Sequence, residues 1–179
     1  MLWEAKDLQP AAGVDGKPLP MIQTSGIKVE DWRGEAMLVA TRDIAAGEVV
    51  AYATGLEVKD SPSIFTVQCS ETKHVQPEDT MIEKANHSCD PNCEALVDED
   101  LAMFALRARE DLASGSVITF DYETTEWAMD APFDCACGAS TCRGKIQGFK
   151  FQTAAHQITQ LPKAAAHIQR MFHAQNTAN

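Results

Sequence analysis

The sequence has little that suits a membrane protein or a nucleic-acid-binding protein. No apolar run approaches the roughly 18 residues of a membrane-spanning helix. The N-terminal stretch MLWEAKDLQPAAG carries charges and lacks the apolar segment of a secretory signal. Lys and Arg number 15 against 26 Asp and Glu, a net charge of −11, which argues against a basic nucleic-acid patch. We expect the protein to contact no membrane and to bind no nucleic acid directly. We expect it in the cytoplasm, with the nucleus as the alternative location.

The strong negative charge leaves two interpretations. It can simply keep the protein soluble, or it can attract a basic substrate such as a Lys- or Arg-rich peptide.

Internal repeats are absent, and helical periodicity is absent before the tail. Short β-branched and apolar runs bounded by Gly, Ser and Asp predict strands at 37–40, 48–53, 63–69 and 117–122. A further strand pair flanks Glu99-Asp100 as a hairpin. The tail FQTAAHQITQLPKAAAHIQRMFHAQ has apolar residues three and four apart and predicts helix, divided at Pro162. We expect the tail histidines to face solvent; they are His156, His167 and His173.

The six cysteines are clustered, which in a cytosolic protein indicates metal binding or catalysis more often than disulfides. The run CACGASTCRG places Cys135, Cys137 and Cys142 within eight residues. Three thiolates at this spacing suit a tetrahedral zinc site that needs one more ligand. The sequence leaves four candidates for that ligand, namely Cys69, His87, Cys89 and Cys93.

Four motifs in a fixed order resemble the SET-domain protein lysine methyltransferases that carry a cysteine-rich post-SET segment. They are LVATRDIAAGEVVAY (38–52), NHSCDPNC (86–93), VITFDY (117–122) and CACGASTCRG (135–144). The resemblance spans roughly residues 25–148. It implies an N-terminal arm (1–24), a SET domain (25–128), a post-SET zinc segment (129–148) and a C-terminal helical tail (149–179).

The resemblance implies a mainly β fold of several small sheets, in which two segments thread past each other as in a pseudoknot to build the active site. S-adenosylmethionine would bind on one face and the target lysine would enter by a narrow channel from the opposite face. The implied catalytic residues are Tyr122, Tyr52 and Phe120. The implied cofactor-binding residues are Asn86, His87, Met37, Phe133 and Ile146. The implied zinc ligands are Cys89, Cys135, Cys137 and Cys142, which leaves Cys93 outside the site.

Several of these residues have a plain structural alternative. Tyr52 and Phe120 also suit a strand in the core, Asn86 could cap a turn, and His87 could be a buried histidine with satisfied hydrogen bonds. The residue two before the active-site tyrosine tunes product methylation in the resembled family, and Phe120 there implies di- or trimethylation. A nucleotide-binding α/β methyltransferase fold is not expected, because AAGVDGKP (11–18) lacks the flanking strand and helix.

Three functions fit the motifs. The first is an S-adenosylmethionine-dependent methyltransferase acting on a lysine of a basic protein or peptide. The second uses the same fold and cofactor on a small free amine or amino acid. The third is a non-catalytic binding module of the same fold.

Overall fold

The computed structural model describes residues 21–32 and 34–177, so all but the last four positions of the expected N-terminal arm lie outside the described residues. Within them the chain forms short strands and two helices near its end, which confirms the mainly β fold with a helical tail. The strands are β1 (Ile22–Gln23), β2 (Ile27–Trp32), β3 (Glu35–Ala40), β4 (Val49–Ala53), β5 (Glu57–Lys59), β6 (Val67–Gln68), β7 (His74–Gln76), β8 (Asn86–His87), β9 (Cys93–Asp98), β10 (Met103–Ala108), β11 (Thr119–Phe120), β12 (Phe133–Asp134) and β13 (Lys145–Ile146). The helices are α1 (Ala154–Gln160) and α2 (Ala166–Thr177). No helix in the described part of the chain is long and apolar enough to cross a membrane.

The strands form several small sheets rather than one large one. A four-stranded antiparallel sheet has the order β1-β4-β10-β9, and a three-stranded sheet has the order β5-β7-β6. The remaining strands pair in twos, as β2-β3, β8-β11 and β12-β13. The expected hairpin around Glu99-Asp100 is confirmed, since β9 and β10 pair antiparallel from Cys93↔Ala108 to Asp98↔Met103.

The two faces of the four-stranded sheet bury different clusters, because side chains alternate along a strand. Ala53 and Phe104 are paired in register and belong to the main core, which also holds Phe120. Their neighbours Tyr52 and Ala105 are also paired, and they pack on the opposite face with Met103. The sheet therefore separates Tyr52 from the side on which Phe120 lies.

The pairing of β8 with β11 is parallel and joins segments that are far apart in sequence. Asn86 lies opposite Thr119 and His87 lies opposite Phe120. The Asn92 side chain secures the pairing, since its Nδ2 donates to the Val117 carbonyl at 2.8 Å and its Oδ1 accepts from the Thr119 N–H at 3.0 Å. This side-by-side arrangement of the two motif segments agrees with the threading that the resemblance implies.

Two predicted strands are shorter than expected, because a side-chain hydrogen bond delays the start of one and ends the other. Within 63–69 only Val67 and Gln68 are strand, because the Thr66 hydroxyl closes a turn on Ser63. Ile64 and Phe65 are consequently exposed.

Within 117–122 only Thr119–Phe120 is strand. The Asp121 carboxylate accepts from the Glu123 N–H and starts a 3₁₀ turn at Tyr122–Thr124. The strand therefore ends before Tyr122.

The C-terminal tail docks against the segment that follows this turn. Phe149 and Ile168 are buried beside Trp127, and the Ala165 N–H donates to the Thr124 carbonyl at 2.8 Å. The expectation that the tail histidines face solvent is wrong for His167, which is 1% exposed. Its Nε2 lies 2.8 Å from the Thr125 carbonyl oxygen, because this face of α2 turns towards the core.

Candidate active site

Tyr122 lies at the centre of the aromatic residues that the motifs bring together. Its ring centroid is 4.8 Å from that of Phe120, 5.3 Å from that of His87 and 6.2 Å from that of Phe133. Its hydroxyl donates to the Ala85 carbonyl at 2.9 Å. Burial raises the pKa of Tyr122 to about 12, so the phenol stays protonated at neutral pH.

His87 connects this aromatic cluster with the cysteines. Its Nδ1 accepts from the Tyr122 N–H at 3.2 Å, so the proton of a neutral imidazole lies on Nε2. Nε2 in turn lies 3.3 Å from Cys89 Sγ. Burial, followed by the nearby Arg143 charge, lowers the pKa of His87 to about 4, which agrees with the neutral form. Both ring nitrogens are occupied, so the imidazole offers a ligand its ring edge rather than a free nitrogen.

The other predicted cofactor-binding residues surround the same position, with one exception. Asn86 Nδ2 donates to the Ala36 carbonyl at 3.1 Å, which places the amide beside β3 and next to Met37. Phe133 contacts His87, with ring centroids 5.8 Å apart, and both Met37 and Phe133 are half-buried. Ile146 pairs with Phe133 between β12 and β13 but is fully buried. Ile146 is therefore a core residue next to Phe133, with no surface exposed to a cofactor.

The cysteine cluster forms as the resemblance implies. The Sγ atoms of Cys89, Cys135, Cys137 and Cys142 all lie within 4.8 Å of one another, and those of Cys89 and Cys135 are 3.9 Å apart. A tetrahedral zinc with Zn–S bonds of about 2.3 Å requires sulfurs about 3.8 Å apart. The donor set therefore fits zinc. Cys93 is buried in the main core and lies outside the cluster.

A buried ionic network joins the Tyr122 turn to the cysteine segment, and the sequence analysis did not predict it. Arg143 donates to Asp121 at 2.6 Å and to Glu123 at 3.0 Å, and its own N–H donates to Cys89 Sγ at 3.4 Å. Glu123 Oε1 also accepts from the N–H groups of Gln147 and Gly148, both at 3.0 Å. The available signal in the sequence was the position of Arg143 between the predicted ligand Cys142 and the turn residue Gly144.

A cavity of about 80 Å³ is lined by Tyr122 but not by His87 or Phe133, so it is separate from the space beside those two rings. Its walls include Tyr122 and Phe120, together with apolar residues such as Ile82 and Phe65. One water needs about 10–15 Å³ by the same measure, so the cavity has room for a short unbranched chain. Two carboxylates, Glu83 and Glu126, also line it. Glu126 was not predicted, and no motif distinguishes it in the sequence.

Tyr52 is the predicted site residue that the structure does not bring to the others. It packs with Met103 and Ala105 on the face of the four-stranded sheet opposite the core that holds Phe120 and Tyr122. The alternation of side chains along β4 is the reason. We therefore leave Tyr52 out of the proposed site and regard it as a core residue of that face.

Comparison with known proteins is consistent with this geometry. Residues 35–123 match the SET domain. Methyltransferase flvH of Aspergillus flavus is 43% identical over 65 residues, which are 35% of this chain and 34% of that protein. Histone-lysine N-methyltransferase set-2 of Caenorhabditis elegans is 43% identical over 63 residues, 34% of this chain and 4% of that protein. The chain thus spans about a third of the first relative's length and a much smaller share of the second.

Solved structures share the fold. The methyltransferase domain of human Histone-lysine N-methyltransferase SETMAR has a TM-score of 0.52 and 19% identity, covering 66% of this chain and 56% of that one. KRYPTONITE in complex with mCHH DNA, H3(1-15) peptide and SAH has a TM-score of 0.53 and 20% identity, covering 66% and 29%. The matched family model, the small-sheet architecture and the cysteine cluster agree, and residues 35–123 of this chain are a SET domain.

Proposed function

We propose that this protein transfers methyl groups from S-adenosylmethionine to the side-chain amine of a lysine in a basic protein or peptide. The observation that carries the proposal is the position of Tyr122. One side of this residue lines the narrow cavity, and the other contacts the His87 and Phe133 rings. A methyl donor and an amine acceptor held on these two sides would meet at its hydroxyl.

The cofactor side of the proposed site consists of Met37, Asn86, His87 and Phe133. The residues fit a sulfonium cofactor, because aromatic rings attract a cation and the Asn86 amide can bond a polar group. When bound, S-adenosylmethionine supplies an electrophilic methyl group. The contribution of these residues is to hold it at a fixed distance and angle, and positioning of this kind can account for much of the rate acceleration.

The amine side is the cavity. A lysine ammonium has a pKa near 10.4 in water and becomes nucleophilic only after losing a proton. The apolar wall formed by residues such as Phe120 and Ile82 disfavours the charged form and lowers that pKa. The Tyr122 hydroxyl already donates to Ala85, so its oxygen lone pairs are the part left to orient the amine.

We propose that zinc bound by Cys89, Cys135, Cys137 and Cys142 serves a structural role. Four thiolates leave no open coordination position for a substrate. The contacts of Cys89 with His87 and Arg143 link such a site to the Tyr122 turn, so metal binding would stabilise the cofactor side. We also propose the expected division into arm (1–24), SET domain (25–128), zinc segment (129–148) and tail (149–179).

A basic protein substrate is supported by two observations. Several relatives are named histone-lysine methyltransferases, and the KRYPTONITE complex contains an H3 peptide. The net charge of −11 favours attraction of a basic partner. The KRYPTONITE complex also contains DNA, but the negative charge of this chain leads us to propose that it binds no nucleic acid directly.

The second candidate is methylation of a small free amine or amino acid. It is favoured by the cavity itself, whose apolar walls and small volume match a short aliphatic amine without requiring a peptide groove. A product assay separates the two candidates. Zinc-loaded protein is incubated with S-adenosylmethionine and either H3(1–15) peptide, free L-lysine or short diamines, and products are identified by mass spectrometry.

Methylated peptide supports the first candidate, and methylated free amine alone supports the second. If no amine gains a methyl group while calorimetry shows tight S-adenosylmethionine binding, the protein is a binding module and the proposal is wrong. Tyr122→Phe is the matched variant, because it removes only the hydroxyl. It should retain cofactor affinity and lose at least tenfold in rate.

A further inference from the structure

Glu126 is a buried carboxylate on the amine side of Tyr122, and none of the steps above uses it. It is 8% exposed and lines the same cavity as Tyr122 and Phe120. The chain places it there because the Glu126 N–H donates to the Tyr122 carbonyl at 2.9 Å. The two residues therefore lie one backbone turn apart, and both side chains line the cavity.

The hydrogen bonds that Glu126 accepts all go to one of its two carboxylate oxygens. Oε1 accepts from the Gln68 N–H at 2.8 Å and from the Thr125 hydroxyl at 3.3 Å. Among residues 21–32 and 34–177, Oε2 has no hydrogen-bond partner and the carboxylate has no cationic one. The ionised form of such a carboxylate is costly without a cation, so a cationic ligand that entered the cavity would stabilise the charged form of Glu126.

The position of the carboxylate is fixed by its neighbours. Gln68 donates its N–H to Glu126, accepts from the Trp127 N–H at 2.9 Å and donates from Nε2 to the Ser70 carbonyl at 2.8 Å. This network ties Glu126 to β6 and holds Oε1 in place. The free oxygen, Oε2, is thereby positioned before any ligand arrives, as a binding group should be.

Resting on the methyltransferase function proposed above, we propose that Glu126 binds the cationic amine of the substrate in the cavity and accepts its proton before methyl transfer. In this step an N–H bond of the ammonium breaks and an O–H bond forms at Glu126. The electron pair of the broken bond stays on nitrogen, which becomes the neutral nucleophile. The proton then passes from Glu126 to solvent water.

The ionisation of the cavity supports this role. Burial raises the pKa of Glu126 to about 7, which is the range in which a general base works best at neutral pH. The other ionisable groups near it are Tyr122, Cys69 and Glu83. Burial raises the pKa of Tyr122 to about 12 and that of Cys69 to about 11, so both stay protonated at neutral pH. Glu83 forms an ion pair with Lys84 at 2.9 Å, and it therefore serves as a control.

A binding experiment tests recognition without requiring catalysis. The zinc-loaded protein is titrated at pH 8 with n-butylammonium in the presence of S-adenosylhomocysteine, and binding is followed by NMR. Glu126→Gln keeps an oxygen for the Gln68 N–H but removes the charge. We expect it to weaken n-butylammonium binding at least tenfold and to leave n-butanol binding unchanged. Glu83→Gln should change the affinity less than twofold. Equal n-butylammonium affinity in wild type and Glu126→Gln overturns the proposal.

A kinetic experiment tests the proton transfer. For whichever of H3(1–15) peptide or free L-lysine is methylated, kcat/KM of the wild type should rise with pH through an apparent pKa near 7. In Glu126→Gln this rise should disappear and kcat/KM should fall at least tenfold. Unchanged S-adenosylmethionine affinity would show that the variant is folded. Glu126→Asp, which restores the charge, should recover part of the loss. The amine of an aminoethylcysteine analogue is less basic than that of lysine. Glu126→Gln should therefore lower kcat/KM for this analogue less than it does for lysine.

The outcomes distinguish this inference from the proposed function. If the wild type methylates an amine and Glu126→Gln keeps both its rate and its pH profile, Glu126 is only structural and the inference is wrong. If no amine is methylated but n-butylammonium binding depends on Glu126, methyl transfer and proton acceptance both fail, whereas the amine site stands.

Discussion

Replacing Glu123 with Ala should produce one of the largest single-residue losses of stability in this protein. Glu123 is 2% exposed and accepts hydrogen bonds from Arg143, from the N–H groups of Gln147 and Gly148, and from Gln152. These donors all belong to the segment that follows the cysteine cluster, so one carboxylate attaches that segment to the Tyr122 turn.

The magnitude follows from what the truncation leaves behind. Arg143 would keep Asp121 as a partner but remain buried with its charge half compensated, and two backbone N–H groups would have no acceptor. Removing one partner of a buried ionic group typically costs about 3–5 kcal/mol. A domain of this size has a total free energy of unfolding of about 5–15 kcal/mol, so the loss is a large fraction of it.

The assay is urea unfolding of the zinc-loaded protein, followed by tryptophan fluorescence, because Trp127 lies in the docked region. Glu123→Gln should lose less than Glu123→Ala, since its amide oxygen can still accept from Gln147 and Gly148. Glu71→Ala is the matched control. Glu71 pairs with Arg170 at the exposed surface and should cost less than about 1 kcal/mol. A Glu123→Ala loss no larger than that of Glu71→Ala would refute the reasoning.

Four further predictions concern the metal, the cofactor, the product and the pH dependence of stability. Cys142→Ser should reduce zinc from about one ion per chain and disorder residues 133–148, because metal binding and folding are coupled; elemental analysis and hydrogen exchange measure both, and unchanged protection would contradict it. Asn86→Ala should weaken S-adenosylmethionine binding more than tenfold, about 1.4 kcal/mol, by calorimetry on the folded variant; equal affinity rejects the role. Phe120→Tyr should shift products from di- or trimethyl towards monomethyl amine, because Phe120 lines the cavity and an added hydroxyl takes space there; a wild type that stops at one methyl is the opposing result. Burial raises the pKa of Glu126 from 4.5 to about 7, so the folded state holds this proton more tightly and wild-type stability falls as pH rises from about 4.5 to about 7. At about 1.4 kcal/mol for each pH unit, Glu126→Gln should gain up to about 3 kcal/mol relative to wild type between pH 4.5 and pH 8, and a constant difference across that range would be inconsistent with the shift.

Features that depend on neighbouring residues could be predicted from the sequence alone. The spacing of Cys135, Cys137 and Cys142 indicated a metal site before any fold was known, because turn glycines bring close cysteines together. The hairpin around Glu99-Asp100 and the break of the tail at Pro162 are equally local, and both are present. The motifs in their order also indicated the fold and the region of the candidate site.

The side of an element that each residue occupies depends on how distant segments pack. Tyr52 lies in a motif, yet the register of β4 against β10 turns it to the face opposite Phe120, and a shift of one residue would have reversed this. The helical pattern of the tail did not reveal that His167 is buried, because burial depends on where α2 docks.

The ionic network and the cavity carboxylate also required the tertiary structure. Arg143 meets Asp121 only because β8 and β11 pair in parallel and the cysteine segment returns across them. Glu126 is buried because β6, 58 residues earlier in the chain, covers it through the Gln68 N–H. The charge of such residues is visible in a sequence, but the desolvation that gives them a chemical role arises only from contacts between distant segments.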